Sequence, residues 1–117
     1  MSLETELFDT LKVICPRVFP DVAPTNTTMP YITWQQIGGE APTYLDGSLP
    51  DKRCAYIQIN VWAKSRMESN SLMLQIEQAL CDSSTLIARP QSAMQAAFDE
   101  DTESRGSMQD FVIWATR

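Results

Sequence analysis

From Ala55 to Trp62 apolar and polar positions alternate strictly. Ala55, Ile57, Ile59 and Val61 fall on one side, Tyr56, Gln58, Asn60 and Trp62 on the other. A period of two is that of a β-strand, and it predicts one over residues 53–63. The first set is a core face. The second pairs two large aromatics with two amides, which is neither a good core nor an ordinary wet surface, and reads as a surface for another protein. Directly downstream the period changes. Ser65 and Glu68 stand in capping-box spacing, so each can satisfy an orphan backbone donor at a helix start. Leu72, Ile76, Ala79 and Leu80 then make an apolar stripe, with Ser69 as a polar gap one turn earlier and Met73 at the margin. Asp82-Ser83-Ser84 ends the helix.

The remaining pattern is coarser. Leu3, Leu7, Leu11 and Ile14 recur at helical spacing, with Phe8 widening the stripe. Ser2 suits the N-cap, Glu4 and Glu6 suit the positive end, and Pro16 stops the helix. Pro16, Pro20 and Pro24 predict an extended, rigid segment without regular structure. A strand follows over residues 31–37 and is closed by Gly38-Gly39. Residues 40–52 read as a long hairpin connection, with a turn signal at Asp46-Gly47 and with Pro50 barring a central strand. After a loop through Pro90, residues 92–98 and 107–115 read as strands joined by the acidic loop 99–106. On the last strand Phe111, Ile113 and Ala115 form the apolar face. The expectation is one α+β domain over residues 1–117: a mainly antiparallel four-stranded sheet with two helices on one face, in the order α-β-β-α-β-β.

Composition narrows the function. The 117 residues, 44% hydrophobic and 21% charged, are globular in balance and long enough to bury roughly two thirds of the unfolded surface. A net charge of −6 argues against bulk attraction to nucleic acid or to an anionic membrane, because phosphate contacts need Lys and Arg. No apolar run approaches the ~20 residues of a membrane span. The first residues carry acids and no basic region, unlike a secretory signal. Three dispersed cysteines fit reduced thiols in a cytosolic compartment. Without histidine or a CxxC pair an ordinary zinc site is not expected.

Catalytic chemistry finds no footing. Asp99, Glu100, Asp101 and Glu103 have carboxylates for a hard cation but lack the ligand spacing of a calcium loop. A solvated hairpin tip explains them better. Cys54 and Cys81 have no histidine to generate a thiolate. The serines lack a base and a GxSxG context, and Gly38-Gly39 is not followed by a phosphate-loop signature. The aromatics Trp34, Tyr56, Trp62 and Trp114 are the candidates that remain. Each is placed on the strand face opposite a more aliphatic set. Aromatics are enriched both in cores and at interfaces, so both readings stand. Gln58 and Asn60 favour an interface, since buried amides need partners.

Several segments together resemble a known family. They are PDVAP (20–24), PYITWQQIGG (30–39), TYLDG (43–47), RCAYIQINVWAKSRMESNSLMLQIEQAL (53–80) and FVIWA (111–115). They are similar to small prophage proteins linked to the tail-terminator, or tail-completion, proteins of long-tailed phages. The resemblance implies a non-enzymatic protomer like the lambda-type tail terminator. Such a protomer forms a ring, a hexamer when assembled, that caps the tail tube, ends polymerisation and prepares head joining. It implies copies of itself, the tail tube protein and a head-side connector as partners. It also implies no cofactor, no metal, no membrane and no sequence-specific nucleic acid. The place implied is the tail–head junction of a virion assembled in the bacterial host cytoplasm. A closed ring needs two different patches on each protomer. The candidate subunit interface is Trp34, Tyr44, Asp46, Tyr56, Gln58, Asn60, Trp62 and Trp114. A head–tail neck connector or adaptor is the alternative. A small enzyme or metal-binding domain using the acidic loop and Cys54 is the alternative from another class.

Overall fold

The computed structural model describes residues 2–117. Its elements run α1 (Leu3–Ile14), β1 (Val18–Pro20), β2 (Tyr31–Gly38), β3 (Lys52–Ala63), α2 (Arg66–Cys81), β4 (Ile87–Pro90), β5 (Gln95–Asp99) and β6 (Ser104–Thr116). The class is α+β, as expected, but the sheet is six-stranded and mixed rather than four-stranded. The strands lie in the order β1-β2-β3-β6-β4, and β5 also pairs with β6. Two short strands account for the difference.

The first is β1, which adds parallel to β2 in the segment whose prolines argued against regular structure. Its hydrogen bonds avoid the missing proline donor. Ile32 N–H donates to Arg17 O and Asp21 N–H to Trp34 O, each at 2.8 Å, so Pro20 sits at a tolerated edge position. The second is β4, which pairs antiparallel with the C-terminal half of β6 over Ile87–Pro90. Pro90 is its last residue, where a lost donor costs little. β5 lies against the other half of the same β6 edge.

Both helices pack on one face. Leu3, Leu7 and Leu11 of α1 and Met73, Ile76 and Leu80 of α2 meet Ala55, Ile57, Ile59 and Val61 of β3 and Phe111 and Ile113 of β6 in one buried cluster. The Ser2 hydroxyl accepts from Thr5 N–H and the Ser65 hydroxyl accepts from Glu68 N–H, so both N-caps form where the pattern placed them. The apolar stripe of α2 is rotated relative to the sequence reading. Met73 is central and fully buried, while Ala79 and Leu72 are half-buried.

Ser69 is no gap either. It is buried in a polar seam between α2 and the N-terminal half of β6. The Ser107 hydroxyl donates toward Asn70 Oδ1 (2.7 Å) and lies 3.1 Å from Ser69 Oγ. Gln109 donates to Glu77 Oε2 and to Ser92 O. Arg66, at the start of α2, donates to Ser69 Oγ, Ala97 O and Gly106 O, tying the helix to β5 and β6 together. Pairing of this kind makes buried polar groups tolerable, although Gln109 Oε1 has no partner among the described residues.

Candidate functional site

Register decides which side chains share the second face of the sheet. Tyr31, Thr33 and Gln35 of β2 stand opposite Trp62, Asn60 and Gln58 of β3. Those β3 residues stand opposite Gly106, Met108 and Asp110 of β6, while Tyr56 faces Val112 and Cys54 faces Trp114. Ile87 and Arg89 of β4 extend the last two rows. Among the described residues no helix lies on this side. Tyr31, Gln35, Tyr56, Gln58, Asn60, Trp62, Met108 and Trp114 are all half-buried.

Of the aromatics expected here, Tyr56, Trp62 and Trp114 are on this face and Trp34 is not. Trp34 is the cross-strand partner of Ile59 and packs against the helix-covered core beside Ile32. Its strand carries aromatics on both sides, Tyr31 on one and Trp34 on the other, so composition gave the wrong parity and pairing corrects it. Tyr31 takes its place. Pairing with β3 identifies it, and the sequence alone offered no signal for it.

The two amides of β3 differ in their partners. Gln35 Nε2 donates to Gln58 Oε1 across the strands at 3.2 Å. Asn60 Oδ1 is buried and has no partner among the described residues. An unmade hydrogen bond of this kind costs about 1–3 kcal/mol unless another molecule completes it.

The two ends of the face differ. At the Trp62 end, Asp21, Val22 and Ala23 line a shallow depression with Tyr31, Thr33, Trp62 and Asp99, so the chain partly shelters its own surface. Burial and the nearby Asp99 carboxylate raise the Tyr31 phenol above its ordinary pKa. At the other end Tyr56 Oη donates to Glu40 Oε1 at 3.3 Å. Partial loss of hydration and that carboxylate raise the Tyr56 phenol. Ile87 is exposed there beside Trp114.

Beyond this second end projects the segment between β2 and β3, here called the arm, residues 39–51. Gly39 marks its departure. A Cβ at this position would lie 2.5 Å from the Cys54 carbonyl oxygen, a spacing closed to every other residue. At its tip Gly47 N–H donates to Tyr44 O and Tyr44 N–H to Ser48 O. With Gly47 at φ 86° this is a turn closed by a glycine bulge, the three-residue hairpin connection. Asp46 Oδ1 accepts from both the hydroxyl and the backbone N–H of Ser48, which holds its carboxyl below the usual range. The base is tied down by Arg117, which donates to Asp51 O and Pro50 O. Tyr44, Leu45 and Leu49 are exposed, Leu45 completely.

Other chemistry is not assembled. Cys15 and Cys54 are buried and Cys81 is exposed, all as free thiols. Among the described residues no cluster of three metal-ligating side chains occurs, and no helix is long and apolar enough to cross a membrane.

A family model described as tail completion protein gp17 matches residues 5–115. No curated protein matches the chain. Among solved structures, a chain of the virion of a native gene transfer agent particle shares the fold. Its TM-score is 0.71 at 13% identity, and the match covers 99% of this chain and 96% of that one. With nearly its whole length matched, the chain belongs to the tail completion protein gp17 family and is a structural protein of a phage tail, part of virion assembly.

Proposed function

We propose that the chain acts as one domain that closes into a ring, a hexamer, on the end of the tail tube. The ring ends tube polymerisation and offers its outer surface to a head-side connector at the tail–head junction. The observation that carries this reading is the pairing of two unlike exposed features on one protomer: an aromatic–amide sheet face without a helix on it, and a structured apolar arm. A closed ring requires two different patches that meet head to tail. A fold with both helices on one side of its sheet leaves the other side for a neighbour. The negative charge suits a collar through which DNA passes without adhering, because like charge discourages phosphate contact.

The test is light scattering of the purified chain, alone and with tail tube protein. A discrete ring that binds tube ends and shortens tube growth is the expected result. A chain that stays monomeric with tube protein present and leaves tube length unchanged refutes it. Capture by a head-side protein but not by tube would move the assignment to a neck connector.

A further inference from the structure

We infer that the arm of one copy seats on the β4 end of the uncovered sheet face of the next copy, and that this contact closes the ring. The inference rests on the ring reading above and specifies which surfaces meet. Three observations lead to it.

The arm tip is built but unused. Its turn is closed by hydrogen bonds and its base is pinned by Arg117, yet Leu45 is completely exposed and Tyr44 and Leu49 are exposed. Ordering apolar side chains in water gains nothing unless they are buried elsewhere.

The receiving surface is chosen by elimination along the face. At the Trp62 end the chain's own residues 21–23 stand beside the surface, and the Trp62 ring lies against Gly106. At the other end Ile87 is 62% exposed beside Trp114. Glu40 of the same chain reaches Tyr56 here, and the open apolar part of this end is the Ile87–Trp114 row.

Charge matches as well. The arm carries Asp46 and Asp51, with Glu40 turned to its own Tyr56, and no basic residue between Gly39 and Asp51. Arg89 stands beside Val112 on this end, exposed, and among the described residues the ion pair is Arg53–Glu4 alone, so Arg89 has no carboxylate partner. An apolar tip flanked by acids fits an apolar patch flanked by an arginine, and the contact is heterologous, as a ring demands. A second copy supplies both halves from one sequence.

The experiment uses the full chain with Cys81→Ser, so that the exposed native thiol is gone. Leu45→Cys and Ile87→Cys are made separately; both positions are exposed, so neither change disturbs the core. The two proteins are mixed with tail tube protein and treated with a short bismaleimide. A covalent dimer from the mixture, absent from either protein alone and from Leu45→Cys mixed with Met67→Cys on the outer face of α2, is the expected result. The double variant Leu45→Cys/Ile87→Cys then gives a ladder beyond dimers. Ring mass by light scattering without the Leu45–Ile87 dimer, capture of Met67→Cys instead, or a ladder that stops at dimers overturns the arm contact and leaves the ring standing. Absence of any assembly with tube protein overturns the ring and this contact with it.

Discussion

The indole of Trp62 lies against the backbone of Gly106, its cross-strand partner: a Cβ added at Gly106 would sit 2.8 Å from ring atoms Cε3 and Cζ3. The absence of a side chain at Gly106 is what lets the ring lie close to the sheet. Gly106 O is in turn held by Arg66. Gly106→Ala must therefore push the ring outward or bend β6, at about 1–3 kcal/mol, the usual cost of overpacking. A lower denaturant midpoint together with a shift in tryptophan emission is the expected outcome. An unchanged midpoint would mean that the ring pivots away freely. The same contact makes Trp62→Ala a poor probe of assembly, because it strips cover from Gly106 as well as from the surface.

Tyr56 and Trp114 are cleaner probes of the uncovered face. Neither packs on the helix-covered core, and both are half-buried at the end nearest the arm. Tyr56→Ala and Trp114→Ala are expected to lower ring formation on tube protein by ~2 kcal/mol or more, as truncated interface aromatics do, while the melting temperature moves little. Ile59→Ala, fully buried on the opposite face, is the contrast. It should cost about 2–5 kcal/mol of stability. Loss of soluble protein in the Tyr56 variant would place that residue in the core and remove the basis for an interface.

The helices, the long strands and their caps were legible in the sequence because each rests on local chemistry. The alternation in β3 and the serines at both N-caps each act within a few residues. What stayed hidden depends on pairing. β1 and β4 have three and four residues, too short for a period to show, and both contain a proline that argues against a strand until its place at an edge is known. Trp34 lies on the face opposite to the one the pattern predicts because β2 has an aromatic of each parity and only register against Ile59 decides between them. Ser69 reads as a break in an apolar stripe because one of its two partners, Ser107, lies thirty-eight positions away, and the other, Arg66, is recognised only once the helix is placed against β6. The arm was legible as a hairpin with its turn at Asp46-Gly47, but the exposure of Leu45 could not be read without coordinates.

Arg66 holds β5 and β6 to the start of α2 through two backbone carbonyls. β5 is an edge strand of five residues with Phe98 exposed, so it has little burial of its own to hold it. Arg66→Met keeps the aliphatic stem and removes the donors. Stability is expected to fall by about 1.5–3 kcal/mol, the range for hydrogen bonds from a charged group. Amide exchange should accelerate in Gln95–Asp99 more than in β3. Equal acceleration across the whole sheet would show that the arginine supports global packing and does not secure this strand.

Glu4 and Arg53 form an ion pair between α1 and β3. Partial burial pushes the Glu4 carboxyl up, but the α1 backbone N–H and the Arg53 guanidinium outweigh it, and the net direction is down from 4.5. A carboxyl whose folded-state pKa lies below its unfolded value binds its proton less readily when folded. Its contribution is complete above about pH 4.5 and is lost as pH falls through the lower, folded value. Both side chains are about a third or more exposed, at 31% and 44%, so solvent screening holds the pair to under ~1 kcal/mol. The stability gap between the native chain and Glu4→Gln should therefore be small and flat from about pH 7 to about pH 5, then close at lower pH. Added salt should narrow it, since the pair is open to ions. Urea midpoints measured across that range check the sign: a gap that widens as pH falls would mean that the carboxyl is held above its ordinary value and that burial, not Arg53, governs it.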